Sequence, residues 1–277
     1  LANGGKATGS STYCPEDQWA KDADGKYTGE CNPGGEITYD NAFDGEFLTY
    51  TLNLGWSYNT LNRPIFPTSG MSHRVGLEVG IPGSDVDYQK LTYDAQAFMP
   101  LWGGFVLRGY GKLGYGNDLP FYKNFYAGGY GSVRGYDNSS LGPKYPSVIF
   151  QETDPDPEEV GGNALVQFGT ELALPLPFKG DWARQVRPVL FAEGAQVFDT
   201  KCDVPSGNIL VNSSNVDIKQ YCKDNYNFNF DNMRYSVGVG FTWITMIGPL
   251  SLSYAFPLNE KSGDNTTSIQ FEIGRTF

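Results

Sequence analysis

Nine segments of this 277-residue chain alternate apolar and polar side chains one for one, and no other feature limits the possible folds so strongly. They are 46–61, 72–81, 88–101, 102–116, 163–177, 184–199, 233–246, 249–257 and 266–277. In the first, Leu48, Tyr50, Leu52, Leu54, Trp56 and Tyr58 alternate with Thr49, Thr51, Asn53, Gly55, Ser57 and Asn59. In the last, Ile269, Phe271, Ile273 and Phe277 oppose Ser268, Gln270, Glu272 and Thr276. A period of two places one set of side chains on each face of a β-strand. The weakest segment is 184–199, because Phe191 and Glu193 fall on the same parity.

One face is apolar over about ten residues, longer than the five or six of an average soluble strand and close to what a tilted crossing of a bilayer needs. Aromatics gather near the segment ends (Tyr50, Trp56, Tyr58, Trp102, Tyr115, Trp243, Tyr254), where interfacial girdles lie in outer-membrane barrels. Strands tolerate lipid only when closure leaves no backbone group unpaired. The expected fold is therefore all-β, an antiparallel transmembrane β-barrel with about nine strands present; a soluble β-sandwich is the alternative. No apolar run reaches the roughly 18 residues of a transmembrane helix.

Long connections at 1–45, 117–162 and 200–232 fall on one side of this pattern, and tight ones near 100–103 and 246–248 on the other. Outer-membrane barrels have long outer loops and short periplasmic turns, which puts the C-terminus on the periplasmic side. Bacterial single-chain barrels have even strand numbers. Nine segments thus imply either an unrecognised strand in 1–45 or the C-terminal part of a larger barrel. The Gly-rich, polar stretch from Leu1 to Ser10 points to the second. The expected division is an extracellular loop over 1–45 and barrel over 46–277.

The net charge of −11 sits almost wholly in the long connections: −5 in 1–45, −4 in 117–161 and −1 in 200–232. Solvated loops explain it better than a site for the divalent cations that bridge lipopolysaccharide. Such an acidic chain is a poor nucleic-acid binder. The four cysteines form two sequence-local pairs, Cys14/Cys31 and Cys202/Cys222, each inside a long connection. Two local disulfides suit an oxidising compartment. Crossed pairings, free thiols and a metal site are the alternatives, although neither pair has Cys-x-x-Cys spacing or a nearby His.

Little here points to catalysis. His73 is the single histidine, no glycine-rich stretch opens a helix, and no carboxylate pair has an acid/base arrangement, so neither enzyme activity, cofactor nor metal is expected. The stretch 121–146 is informative instead, with many aromatics and one arginine, Arg134, in a glycine-rich setting. A loop folded into the lumen suits that composition; an exposed surface loop is the alternative. An inward Arg134 needs a carboxylate, since an unpaired buried cation is costly. Luminal parity offers Glu171 and, less securely, Glu193.

The run Asn124-Phe-Tyr-Ala-Gly-Gly129 with Val133-Arg134-Gly135-Tyr136 resembles the sixth extracellular loop of the BamA family of outer-membrane barrel-assembly factors. Similar matches are Leu61-Asn-Arg-Pro-Ile-Phe-Pro-Thr-Ser-Gly70, Ile81-Pro-Gly-Ser84, Val160-Gly-Gly-Asn163, Gly248-Pro-Leu250 and Phe271-Glu-Ile-Gly-Arg-Thr-Phe277. The resemblance runs from about Phe43 to Phe277. It implies a sixteen-stranded barrel preceded by periplasmic POTRA domains, with the nine segments similar to strands 8 to 16 and the POTRA domains absent from this chain. It further implies that Arg134 packs against Glu171 and Glu193. The last strand (Ile269, Phe271, Ile273, Phe277) would form a weakly paired lateral seam that templates client strands. The implied partners are outer-membrane lipids and lipopolysaccharide, unfolded outer-membrane protein clients and, in the full-length protein only, assembly-machine lipoproteins. A passive translocation or secretion barrel shares the Val-Arg-Gly-Tyr loop and is the alternative within the same superfamily.

Overall fold

The computed structural model describes residues 48–143 and 159–274, apart from 82, 85, 178–179, 181–184, 203–207, 212–213, 218–219, 221–222, 224–225, 247 and 262, together with the backbone of four short strand segments before residue 48. Most of the 1–45 connection, the acidic run 154–158 and Phe277 lie outside the described residues.

Nine strands form one antiparallel sheet: β1 (Thr51–Asn59), β2 (Gly70–Gly80), β3 (Gln89–Pro100), β4 (Val106–Asn117), β5 (Ala164–Ala173), β6 (Val186–Phe198), β7 (Arg234–Thr245), β8 (Gly248–Pro257) and β9 (Ile269–Ile273). Spatial order follows chain order, a meander in which each strand pairs with its sequence neighbours. A sandwich would need two sheets packed face to face; these strands form a single sheet. It is open, with β1 and β9 as its edges. Successive connections alternate ends, so 118–163, 199–233 and the segment before β1 share one end.

Alternation divides the sheet into two unlike faces. Leu54, Trp56, Leu113, Val239 and Phe271 belong to the outer face and stay exposed despite their size. Among the described strand residues, no outward-facing position carries Asp, Glu, Lys or Arg. An apolar surface this continuous is far beyond what a monomer in water normally shows. The inner face carries the charged residues and two apolar clusters. One is Phe98, Val106, Ala173 and Val189, with Leu61 against it. The other joins loop and strand residues, as described below.

Phe191 and Glu193 both face inward, so the parity clash in 184–199 reflects an inner face that is itself half apolar. The final segment also departs from expectation. Instead of one strand over 266–277, Thr266–Thr267 pairs with Gly135–Tyr136 of the long connection, and Ile269–Ile273 pairs with β8. The β8–β9 ladder has five residue pairs where β7–β8 has ten.

Candidate functional site

After β4 the chain turns back across the inner face. Phe125 bridges Gly162 and Ala127 bridges Leu141, which ties the two described ends of the connection to each other. Phe125, Ala127, Val133, Tyr136 and Leu141 from the loop bury themselves against Leu165 of β5 and Ala195 and Val197 of β6. Val133 and Tyr136 have no exposed surface. Burying side chains of this size is worth about 1.5–3 kcal/mol each and holds the loop inside. A second tether lies at its start, where Lys123 Nζ donates to Glu78 Oε1 at 2.6 Å and Lys90 Nζ to the Lys123 carbonyl at 2.6 Å. The hydrogen bond to Glu78 holds the Lys123 ammonium above its ordinary pKa.

Arg134 lies at the centre, 2% exposed. Its backbone N and Nε donate to Glu193 at 2.8 and 2.9 Å, and its Nη2 reaches Glu171 Oε1 at 2.7 Å and also Glu193 Oε1. Its guanidinium carbon is 3.5 Å from the centre of the Phe191 ring. Arg108 Nη1 bonds the other oxygen of Glu171 at 2.8 Å, and the Tyr110 hydroxyl donates to Glu193. Two arginines thus face two carboxylates, and each of the four carboxylate oxygens accepts at least one hydrogen bond. Burial by itself would lower the pKa of Arg134, but the Glu193 and Glu171 charges hold it above its ordinary value, so the cation persists. Burial likewise pushes the Tyr136 hydroxyl up to about 12. A charge cluster this dry adds little net stability compared with an apolar core, but removing any one of its members strands a buried charge and is costly.

Strand register builds the cluster. Glu171 is directly opposite Arg108 across the β4–β5 ladder. Tyr110, Gly169 and Glu193 lie in one row across β4, β5 and β6. Gly169 leaves the path between the outer two open, since a Cβ there would lie 2.4 Å from Tyr110 Cζ. Gly169→Ala is therefore expected to push Tyr110 off Glu193 and cost about 1–3 kcal/mol. The check is the midpoint of thermal unfolding followed by heat-modifiable gel migration.

On the same face, Arg187 Nη1 donates to the Pro67 carbonyl at 2.9 Å, so the β1–β2 turn folds under the lumen beside the cavity lined by Phe98, Arg108 and Glu171.

The loop also meets the last strand. Besides the Gly135–Tyr136 pairing, Asp137 N donates to the Asn265 carbonyl at 2.9 Å and Gln270 Nε2 to the Tyr136 carbonyl at 2.6 Å. Gly135 has φ +94°, a left-handed conformation that favours glycine, and an added Cβ would meet Ala255 Cβ at 3.2 Å. Ala255 N donates to the Ser268 carbonyl and Gly274 N to the Pro249 carbonyl, each at 2.8 Å. In an antiparallel ladder these contacts fix the alternation. Residues 268, 270, 272 and 274 bond β8, and Ile269, Phe271 and Ile273 turn their N–H and C=O groups to the open edge.

The structure thus brings Val133, Arg134, Gly135, Tyr136, Glu171 and Glu193 together, and it sets Ile269, Phe271 and Ile273 on the free edge. Cys202 is disulfide-bonded. The side chains of Cys14, Cys31 and Cys222 lie outside the described residues, and the pairing with them. Sequence reasoning missed Arg108, Tyr110 and Gln270. Arg108 and Tyr110 carried a signal in their inward parity on β4, but their partners depend on register. Gln270 carried the same inward parity on β9, but its partner in the loop is set by the tertiary structure.

Comparison with known proteins agrees with this architecture. The chain is 35% identical over 243 residues to the outer membrane protein assembly factor BamA of Neisseria meningitidis, covering 84% of this chain and 30% of that protein. It is 27% identical over 248 residues to the sorting and assembly machinery component 50 homolog of Mus musculus, with 84% of this chain and 46% of the relative covered. The crystal structure of BamA from Haemophilus ducreyi lacking POTRA domains 1–3 superposes with a TM-score of 0.67 at 30% identity, over 92% of this chain and 44% of that one. The chain therefore spans less than half the length of each. The Omp85 superfamily domain matches residues 10–277, nearly the whole sequence, and the chain belongs to the Omp85 superfamily.

Proposed function

We propose that this chain forms the C-terminal part of a bacterial outer-membrane barrel that folds and inserts other β-barrel proteins, receiving client strands at β9. The observation that carries the reading is the edge of β9: among the described residues, Ile269, Phe271 and Ile273 turn backbone groups that no other strand pairs, together with exposed apolar side chains, to the same edge. Such an edge templates an incoming strand through main-chain hydrogen bonds. Burial of the client's apolar band then drives insertion, so no nucleotide, metal or covalent step is called for. The higher identity to the Neisseria relative than to the animal ones supports a bacterial setting. In that setting, lipid and lipopolysaccharide surround the outer face, the long connections lie outside, and the C-terminus lies in the periplasm. Assembly-machine lipoproteins would belong to a longer protein with POTRA domains. A passive translocation or secretion barrel needs an open lumen, and the loop core of Phe125, Val133 and Tyr136 argues against it.

Phe271→Pro tests the reading, because it removes one open-edge N–H and no bond to β8. Loss of one hydrogen bond is expected to slow client folding into vesicles by roughly five- to tenfold. Heat-modifiable migration should be unchanged. Client folding at the wild-type rate would refute β9 as the template.

A further inference from the structure

We infer that the luminal loop is a brace for the last strand, with Gln270 as the positioning residue, so that the angle of β9 is set from inside the lumen as well as by β8. This rests on the reading of β9 as the strand that receives clients.

Three kinds of contact carry it. The backbone of Thr266–Thr267 adds as a short strand to Gly135–Tyr136, and Asp137 N extends the pairing to Asn265. The Thr267 hydroxyl bonds the Asp137 carboxylate. Gln270 then reaches past the end of this pairing, its backbone on β8 and its Nε2 on the Tyr136 carbonyl. Gln270 Oε1 is buried with no hydrogen-bond partner among the described residues, a cost that an apolar residue would avoid. The amide therefore acts through its donor.

These contacts divide the final segment into two zones. Residues 265–267 are held by the loop, and 268–274 by β8. Gly135 joins the zones to the ionic cluster, because Arg134 is its chain neighbour and a strand advances only about 3.4 Å per residue. Whatever releases Arg134 from Glu193 and Glu171 withdraws the brace, frees the upper end of β9 and leaves the lower ladder to β8 intact. The loop thus sets how much of the last strand is available to part.

Amide hydrogen exchange on the protein in lipid nanodiscs tests this. Gln270→Leu should raise exchange at 135–137 and 265–267 together, by about the tenfold that loss of one good buried hydrogen bond gives. Exchange in β4–β6 should not change, which separates positioning from general destabilisation. Gln270→His keeps an N–H donor and should restore protection. Arg134→Ala should expose 265–267 while 270 and 272 stay protected by β8. Wild-type exchange at 265–267 in both Gln270→Leu and Arg134→Ala would overturn the brace. Client folding by the same samples is a separate readout: coupled exchange without client folding would sink the assembly reading and leave the brace supported.

Discussion

Arg134→Ala is expected to detach residues 118–143 from the inner face of the sheet. The substitution removes three side-chain hydrogen bonds and leaves Glu193 buried with the Tyr110 hydroxyl and the residue 134 backbone N–H as its donors. (The backbone N–H of residue 134 remains, but its position depends on the side chain.) Breaking a buried ion pair by removing one partner costs about 3–5 kcal/mol, since the stranded charge loses its compensation. That is enough to shift a loop held chiefly by one apolar cluster. Limited proteolysis should cut within 118–163 in the variant and not in the wild type, and the unboiled protein should lose heat-modifiable migration at a lower temperature. Arg134→Lys should fall between, because an ammonium cannot span both carboxylates as the planar guanidinium does. Unchanged protease resistance in Arg134→Ala would exclude the lumen-packed loop.

Glu193→Gln should be nearly as damaging, although it changes the side chain's shape very little. Glu193 accepts from the Arg134 backbone N, Nε and Nη2 and from the Tyr110 hydroxyl. An amide at this position turns an NH2 group toward donors and removes the charge that offsets Arg134. The expected cost is about 3 kcal/mol or more. Glu171→Gln should cost less, because among the described residues Glu171 accepts from two side chains, Arg134 and Arg108. Thermal midpoints of heat-modifiable migration give the order: wild type, then Glu171→Gln, then Glu193→Gln. A reversed order would mean that Arg134 is positioned mainly through Glu171.

Much of this was legible in the residues. The period-2 pattern located all nine strands, and their parity separated the outer face of Leu54, Trp56 and Phe241 from the inner face of Arg108, Glu171 and Gln270. It did so because a buried or lipid-facing sheet face tolerates no charge, so composition follows geometry residue by residue. The loop was visible through its aromatics and its single arginine. Parity cannot report which residues stand opposite each other. Glu171 and Arg108 are 63 positions apart, and their pairing exists only in the β4–β5 register. Phe191 breaks the alternation of its segment because its ring packs on the inner face beneath the Arg134 guanidinium.

The final segment marks the boundary most clearly. The sequence by itself determined that Ile269, Phe271 and Ile273 share one face, because alternation is a local property of an extended backbone. Only the tertiary structure decided that the strand divides at Ser268, bonding the loop before it and β8 from it onward. That choice depends on a luminal loop arriving from 130 positions away to offer its own backbone at Gly135–Tyr136. Hydrogen bonds between main chains carry no side-chain code, so no pattern in either segment announces the partner.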